Sequence, residues 1–337
     1  MNVTIKDIAE KANVSISTVS KALNNKAGVS EFTRQKILNI SKDMNYFQSR
    51  STNNIKTQNI GFLMTRRHIP LFHNPFYSRV ISGVEIEVEK HEYNLLFSTI
   101  KLEDLNSEEI PRIITQNKID GLILTGADIN NELIKNIEQL NFPTVLVDNY
   151  IKSPILDCIV SDNYHGAITA VKYLIDKGHT NIGFAGGPLS HISFEERFRA
   201  YKMEILEKEL PFNENYIKIH SEITPNMGTE LAEEFLQEDE LPSAIFAAND
   251  DIAIGLLQTF KNQNINIPED VSLIGFDDID ITKYTTPSIT TIAIDKESMG
   301  QEATGKLFER IENPDKPSTK SVIPTELVER ESVKEYK

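Results

Sequence analysis

The 337-residue chain predicts a small all-α head followed by a two-lobed α/β body, each lobe a doubly wound, mostly parallel sheet. Three observations carry this. The first fifty residues show three apolar stripes at helical spacing, separated by tight breaks. From residue 58 onward, short apolar runs alternate with amphipathic stretches, the pattern of strands and helices in a parallel sheet covered on both faces. That alternation also repeats faintly, with a period of about 120 residues.

In the head, Thr4-Ile5-Lys6-Asp7 places a hydroxyl cap three residues before an acid, which opens a helix. Ile5, Ile8, Ala9 and Ala12 then form one apolar face, and Asn13 tolerates the left-handed conformation that ends it. Ser15 caps a second helix, in which Val19 and Leu23 face the first while Ile16, Ser17, Ser20 and Lys21 face out. A third helix follows Ser30, with Phe32, Ile37, Ile40 and Met44 apolar. Two short helices joined by a tight turn, with a third to complete a core, follow the helix-turn-helix plan. The outward face of the second helix suits duplex DNA: hydroxyls donate to phosphates or base edges, Lys21 to guanine acceptors, and Ile16 meets a thymine methyl. A plain solvated hydroxyl-rich face fits the same residues.

Charge divides along the same line. The whole chain carries −15, yet residues 1–56 hold nine Lys/Arg against four acids, leaving −20 on the remainder. A basic module on an acidic body confines phosphate contact to the head and its linker. Composition excludes a disordered chain, and no apolar run approaches the length of a membrane span. The N-terminus does not read as a secretory signal, so a cytoplasmic location is expected. The single cysteine, Cys158, lies in an apolar run and reads as a buried thiol, with no disulfide framework or cysteine metal site.

In the body, strands are expected at Asn59–Met64, Tyr93–Ser98, Gly121–Thr125, Thr144–Val147, Ile182–Ala185, Ile217–His220, Ala244–Ala247 and Val271–Gly275. Gln58-Asn59-Ile60-Gly61-Phe62 is echoed by Thr180-Asn181-Ile182-Gly183-Phe184. Open α/β sheets bind ligands beyond the carboxyl ends of their strands. The candidates there are Asp148, Asn249 and Asp277, which accept hydrogen bonds from vicinal hydroxyls, and the forked donor Arg197. Phe76 and Tyr77 are candidates to stack on a sugar face. Each also has a plain reading, since strand-end Asp and Asn often cap helices and Phe76 suits a core. There is no nucleophile elbow, phosphate loop or metal-spaced histidine set, and the adjacent pairs Asp250-Asp251 and Asp277-Asp278 point apart. Neither catalysis nor a cofactor or metal is expected.

The head pattern, Thr4-Ile5-Lys6-Asp7-Ile8-Ala9 through Val14-Ser15, Thr18-Val19-Ser20, Leu23-Asn24, Val29-Ser30, Thr33-Arg34 and Asn45-Tyr46, closely resembles the headpiece of the LacI/GalR repressor family. The resemblance extends into the body at Asp162-Asn163, Gly178-His179, Arg197, Ala247-Ala248-Asn249-Asp250, Gly275-Phe276-Asp277-Asp278 and Thr290-Thr291. It implies a periplasmic-binding-protein-like body of type I, and a repressor of carbohydrate-utilisation genes released by a mono- or disaccharide. It implies base reading by Ile16, Ser17 and Lys21. Thr4, Ser15, Thr18, Ser20, Asn24, Ser30 and Thr33 would lie on or near phosphates, with Tyr46 in the head core and Arg50 in the linker. Effector contact falls to Asp148, Arg197, Asn249 and Asp277. The implied domains are a head at 1–47, a hinge at 48–58, a first lobe at 59–161 plus about 291–322, and a second lobe at 162–290 plus about 323–337. A homodimer on double-stranded operator DNA is expected, since the sequence shows no leucine heptad tail.

The linker departs from the family pattern. It is shorter, Thr52 stands where the family places a minor-groove leucine, and its Ser, Thr and Asn are poor helix interiors. A flexible tether and a hinge helix with Ile55 or Phe47 as wedge are both open. So are a sugar-binding transport protein and a corepressor-dependent regulator.

Overall fold

The computed structural model describes residues 3–23, 28–44, 46, 56–66, 74–101, 112–115, 118–126, 133–134, 137, 142–150 and 156–336. Most of the hinge, with Arg50 and the wedge candidates Phe47 and Ile55, lies outside them, as does Asn24. The chain divides into two compact units, residues 1–71, 79–160 and 297–321, and residues 72–78, 161–296 and 322–337.

The head forms helices α1 (Ile5–Ala12), α2 (Ile16–Leu23) and α3 (Glu31–Asp43). Their apolar stripes meet as the spacing requires: Ile8, Ala9, Ala12, Val19, Ala22, Leu23 and Ile37 are buried together with Tyr46. The capping box is present, with Thr4 accepting from the Asp7 amide and Asp7 accepting from Thr4. Asn13 ends α1 in the left-handed region at φ 56°.

The first unit also contains β1 (Asn59–Arg66), α4 (Pro75–Lys90, from Arg79 onward), β2 (Asn94–Lys101), the single turn α5 (Arg112–Thr115), β3 (Gly121–Thr125), β4 (Thr144–Val147) and β5 (Asp157–Ser161). A later strand, β11 (Lys320–Ile323), joins its edge, so the sheet runs β11-β5-β4-β3-β1-β2, and β1 through β5 pair in parallel. β3, β4 and β5 are buried along their whole length, as a sheet covered on both faces demands. Cys158 sits inside β5, where burial pushes its thiol up to about 11, so it is an inert packing group.

The second unit contains α6 (Asn163–Asp176), β6 (Ile182–Gly186), α7 (Ile192–Glu207), β7 (Ile217–Ile219), α8 (Met227–Phe235), β8 (Ala244–Ala247), α9 (Asp250–Asn262) and β9 (Ser272–Ile274). Its parallel sheet runs β7-β6-β8-β9. The sequence echo is topological: β1 and β6 each stand between the two strands that follow them. Two segments differ from expectation: residues 74–78, expected in the first lobe, group with the second unit, and so does a strand just after residue 290. Strand β10 (Thr291–Ile294) belongs to the second unit rather than the first lobe. It pairs antiparallel with β12 (Thr325–Val328), and bridges Ile274↔Thr290 and Asp277↔Ala293 align it beyond β9. The chain enters the first unit only at Glu297, along α10 (Lys296–Glu312).

Helices α8 and α9 cross at glycines. A Cβ on Gly228 would lie 2.7 Å from the Ile252 carbonyl oxygen and 2.9 Å from Gly255 Cα, both backbone atoms that cannot swing aside. Gly228→Ala is therefore expected to cost about 2 kcal/mol through overpacking, read as a fall in the denaturant midpoint. An unchanged midpoint would mean that the crossing relaxes freely.

Candidate functional site

On the head, the buried side of α2 fixes what its other side shows. Ile16 is 53% exposed although isoleucine is a core residue by preference, and Ser17 and Lys21 are exposed beside it. Ser15 accepts from the Thr18 amide at 3.1 Å and lies 2.8 Å from both the Ser17 and Thr18 hydroxyls, so three hydroxyls cluster at the start of α2. Ser30 and Thr33 repeat the motif at the start of α3, with hydroxyls 2.8 Å apart. Two helix starts thus present hydroxyls and first-turn amides, the donor chemistry that phosphates take. Two cations have structural work instead: Arg34 donates to the Ala22 carbonyl at 3.0 Å, and Lys36 to that of Ala12 at 2.9 Å. Each satisfies a carbonyl at the end of a helix. Tyr46 is in the core, at 2% exposure.

The second unit gathers a charged cluster beyond the carboxyl ends of β8 and β9. Arg197, on α7, is 3% exposed. Its Nε donates to Asn163 Oδ1 at 2.9 Å, its Nη1 to the Ala248 carbonyl at 2.6 Å, and the guanidinium lies 3.7 Å from the Phe276 ring centroid. The stacking and the two hydrogen bonds aim Nη2 at Asp277, whose Oδ1 lies 3.1 Å away. That oxygen is buried, and beyond its charged contact with Arg197 it meets no hydrogen-bond donor among the described residues, so it has capacity left to accept from a hydroxyl. Burial raises the Asp277 carboxyl above its ordinary value, against the pull of Arg197 and Lys296.

Of the adjacent carboxylates, Asp277 and Asp278 turn to different partners, Arg197 and Arg330. Asp250 is fully buried and accepts from the Ile279 amide at 2.9 Å and the Thr291 hydroxyl at 2.6 Å. Burial first, and Asp277 second, push its carboxyl well above the usual range. Asp278 pairs with Arg330. Asn249 caps α9, accepting from the Ile252 amide at 2.9 Å, so its carbonyl is engaged in the helix while the residue remains part-exposed. Asp148 lies in the first unit, beyond β4, at φ 56° and 8% exposure. Phe76 and Tyr77 occupy the first turn of α4, which Asn74 caps. Both are buried and meet edge-on with centroids 5.1 Å apart, the packing of a core pair rather than of an open stacking platform.

Sequence reasoning did not select Asn163, Asp250 and Lys296, which hold this cluster together. Asn163 and Asp250 fall in stretches that carry the family resemblance and stand at helix starts, but a helix start is equally a sign of capping. Among the described residues, no group of His, Cys, Asp and Glu is arranged to hold a metal.

Arg197 is the cation of a buried pair, and removing one partner leaves the other uncompensated. Arg197→Met is expected to cost about 3 kcal/mol in chemical denaturation, with part recovered in the Arg197→Met/Asp277→Asn double variant. Full additivity of the two changes would mean that the pair is not coupled.

Comparison with known proteins places these features. Residues 4–49 match the family described as bacterial regulatory proteins, lacI family, and residues 171–333 match the periplasmic binding protein-like domain. The HTH-type transcriptional repressor PurR of Photobacterium profundum is 32% identical over 336 residues, covering 98% of this chain and 99% of the relative. The ribose operon repressor of Haemophilus influenzae is 32% identical over 334 residues, covering 98% of each. Among solved structures, a LacI family transcriptional regulator from Enterococcus faecalis V583 with bound ribose is 26% identical, with a TM-score of 0.69, covering 83% of this chain and 100% of that one. No helix among the described residues is long and apolar enough to cross a membrane. Full-length likeness at this level means that the chain belongs to the lacI family of bacterial regulatory proteins and is a DNA-binding transcriptional repressor, not an enzyme.

Proposed function

We propose that this repressor binds operator DNA as a homodimer and is released by a sugar held at the Arg197–Asp277 cluster. The observation that carries the sugar is the buried Asp277 Oδ1, which beyond Arg197 meets no donor among the described residues. It is set against a guanidinium that commits Nε and Nη1 to protein oxygens and keeps Nη2 for this side. A carboxylate accepting from one hydroxyl and a guanidinium donating to its neighbour make a matched pair for a vicinal diol. Asp148 and Asn249 complete the effector set. Phe76 and Tyr77 take part only if their rings are uncovered. The ribose operon repressor among the relatives, and the ribose-bound regulator among the solved structures, make D-ribose the first sugar to test. The relatives named PurR support a second reading, a purine acting as effector.

On DNA, Ile16, Ser17 and Lys21 read base edges in the major groove. Thr4, Ser15, Thr18, Ser20, Asn24, Ser30 and Thr33 lie on or near phosphates, and Arg50 follows in the linker. Tyr46 supports them from the head core. Two half-sites related by twofold symmetry match the two heads of a dimer. The effector acts by binding one state of the body more tightly than another, and the operator senses the shift by linkage. Such a regulator works in the cytoplasm, where operator and sugar meet.

Fluorescence anisotropy on the duplex upstream of its own gene, with D-ribose and with adenine, tests the assignment. Release by ribose supports induction by a sugar. Tighter binding with adenine and no response to ribose overturns it in favour of a purine corepressor. Asp277→Asn keeps the side-chain shape and tolerates the residue's φ of 110°, where alanine would be strained. It is expected to raise the ribose concentration for release at least about tenfold, the loss of one charge-assisted hydrogen bond; an unchanged concentration refutes the effector assignment. Lys21→Ala is expected to cost about 1–3 kcal/mol on the operator and much less on random duplex. Equal losses on both would make Lys21 a phosphate contact.

A further inference from the structure

We propose that Lys296 is a positioning residue of the effector site, holding the backbone turn that presents Asp277 to the ligand. This rests on the effector assignment above.

Lys296 opens α10 immediately after β10, and only 8% of it is exposed. A buried lysine ordinarily pairs with a carboxylate. Here the ammonium donates instead to backbone carbonyls: those of Asp278 and Ile294, each at 3.2 Å, and that of Asp277. Three carbonyls match the three N–H donors of an ammonium. Two of them belong to consecutive residues at positive φ, Asp277 at 110° and Asp278 at 50°. Aspartate enters the left-handed well at Asp278 with little strain, but the 110° of Asp277 lies beyond that well and is held only where the surroundings impose it.

The imposition can be traced group by group. The Asp277 amide donates to the Ile292 carbonyl at 2.8 Å and the Asp278 amide to the Thr291 hydroxyl at 3.4 Å. The Asp278 carboxylate pairs with Arg330, and the next amide, Ile279, is held by Asp250. These contacts engage the amides and the Asp278 side chain. The Asp277 and Asp278 carbonyls are the remaining backbone groups of the turn, and Lys296 takes both. Its charge matters as well as its hydrogen bonds. Burial lowers the lysine's affinity for its proton, while Asp277, Asp278, Asp250 and Asp280 oppose that shift. The ammonium therefore offsets an acidic cluster that Arg197 and Arg330 meet from other sides. With the turn fixed, the Asp277 carboxylate has one direction, toward Arg197; without it, the carboxylate has no reason to keep that direction.

The test uses the full-length protein, with D-ribose titrated calorimetrically into wild type, Lys296→Met, Lys296→Arg and Asp277→Asn. The expected result is that methionine weakens ribose binding at least about tenfold, the loss of charged hydrogen bonds, while arginine, which keeps charge and donors, stays within about threefold of wild type on the same scale. Thermal melting accompanies each titration. If the methionine variant melts too low to titrate, Lys296→Gln replaces it, and a neutral donor is expected to give a loss between those of arginine and methionine. Wild-type affinity in a folded Lys296→Met or Lys296→Gln variant, with Asp277→Asn impaired, overturns the role of Lys296 and leaves the effector site standing. Equal loss in the arginine and methionine variants also overturns it, since the site would then need only the lysine's shape. Undiminished binding in Asp277→Asn removes the effector assignment and this inference together.

Discussion

The charged cluster of the second unit depends on one buried ion pair. Arg197 lies flat on Phe276, commits two donors to Asn163 and the Ala248 carbonyl, and thereby turns its remaining terminal nitrogen toward Asp277. Neither partner would be stable as an ion alone at this depth, because an unpaired buried charge is strongly disfavoured by desolvation. The pair holds because each member is fixed by a different part of the fold: Arg197 by α7 and the start of α6, Asp277 by the turn after β9 and its alignment with β10. In the proposed function, a cluster shaped in advance like this lowers the ordering cost of binding.

The head follows a different logic. Its core is small, and its helices are set by local devices: a capping box, a left-handed asparagine, hydroxyl clusters at two helix starts, and two basic side chains that bond to terminal carbonyls. These devices decide which cations face outward. Arg34 and Lys36 are engaged by helix-end carbonyls, Lys36 while still exposed, and Lys21 and Ile16 stand on the surface of α2. The charge split, a cationic head and linker before an acidic body, favours phosphate at the head and repels it from the body.

The first unit contributes its own anchor where the linker ends. Asp120, just before β3, accepts from the Thr57 amide and hydroxyl at 2.9 Å and from the Gln58 amide at 3.0 Å. The last linker residues are therefore tied to the interior of the sheet rather than to its edge, since β1 and β3 are neighbours there. This gives the body a firm point of attachment for whatever the preceding residues do on DNA.

The sequence alone determined the elements and their order, because helix caps and hydrophobic periodicity are local: the three head helices and the alternating body follow from residues within a turn or two of one another. It also determined that Asn249 and Asp277 stand at strand ends. Tertiary structure decided what each does there. Asn249 became a helix cap, Phe76 and Tyr77 became a buried pair, and Asp277 met Arg197 from a distant stretch of chain. Lys296 was illegible for the same reason: an exposed lysine and one folded over a turn 19 residues earlier look alike in sequence. The lobe to which β10 belongs was likewise settled by pairing with β12, since strand pairing is a contact between distant segments that no local pattern encodes.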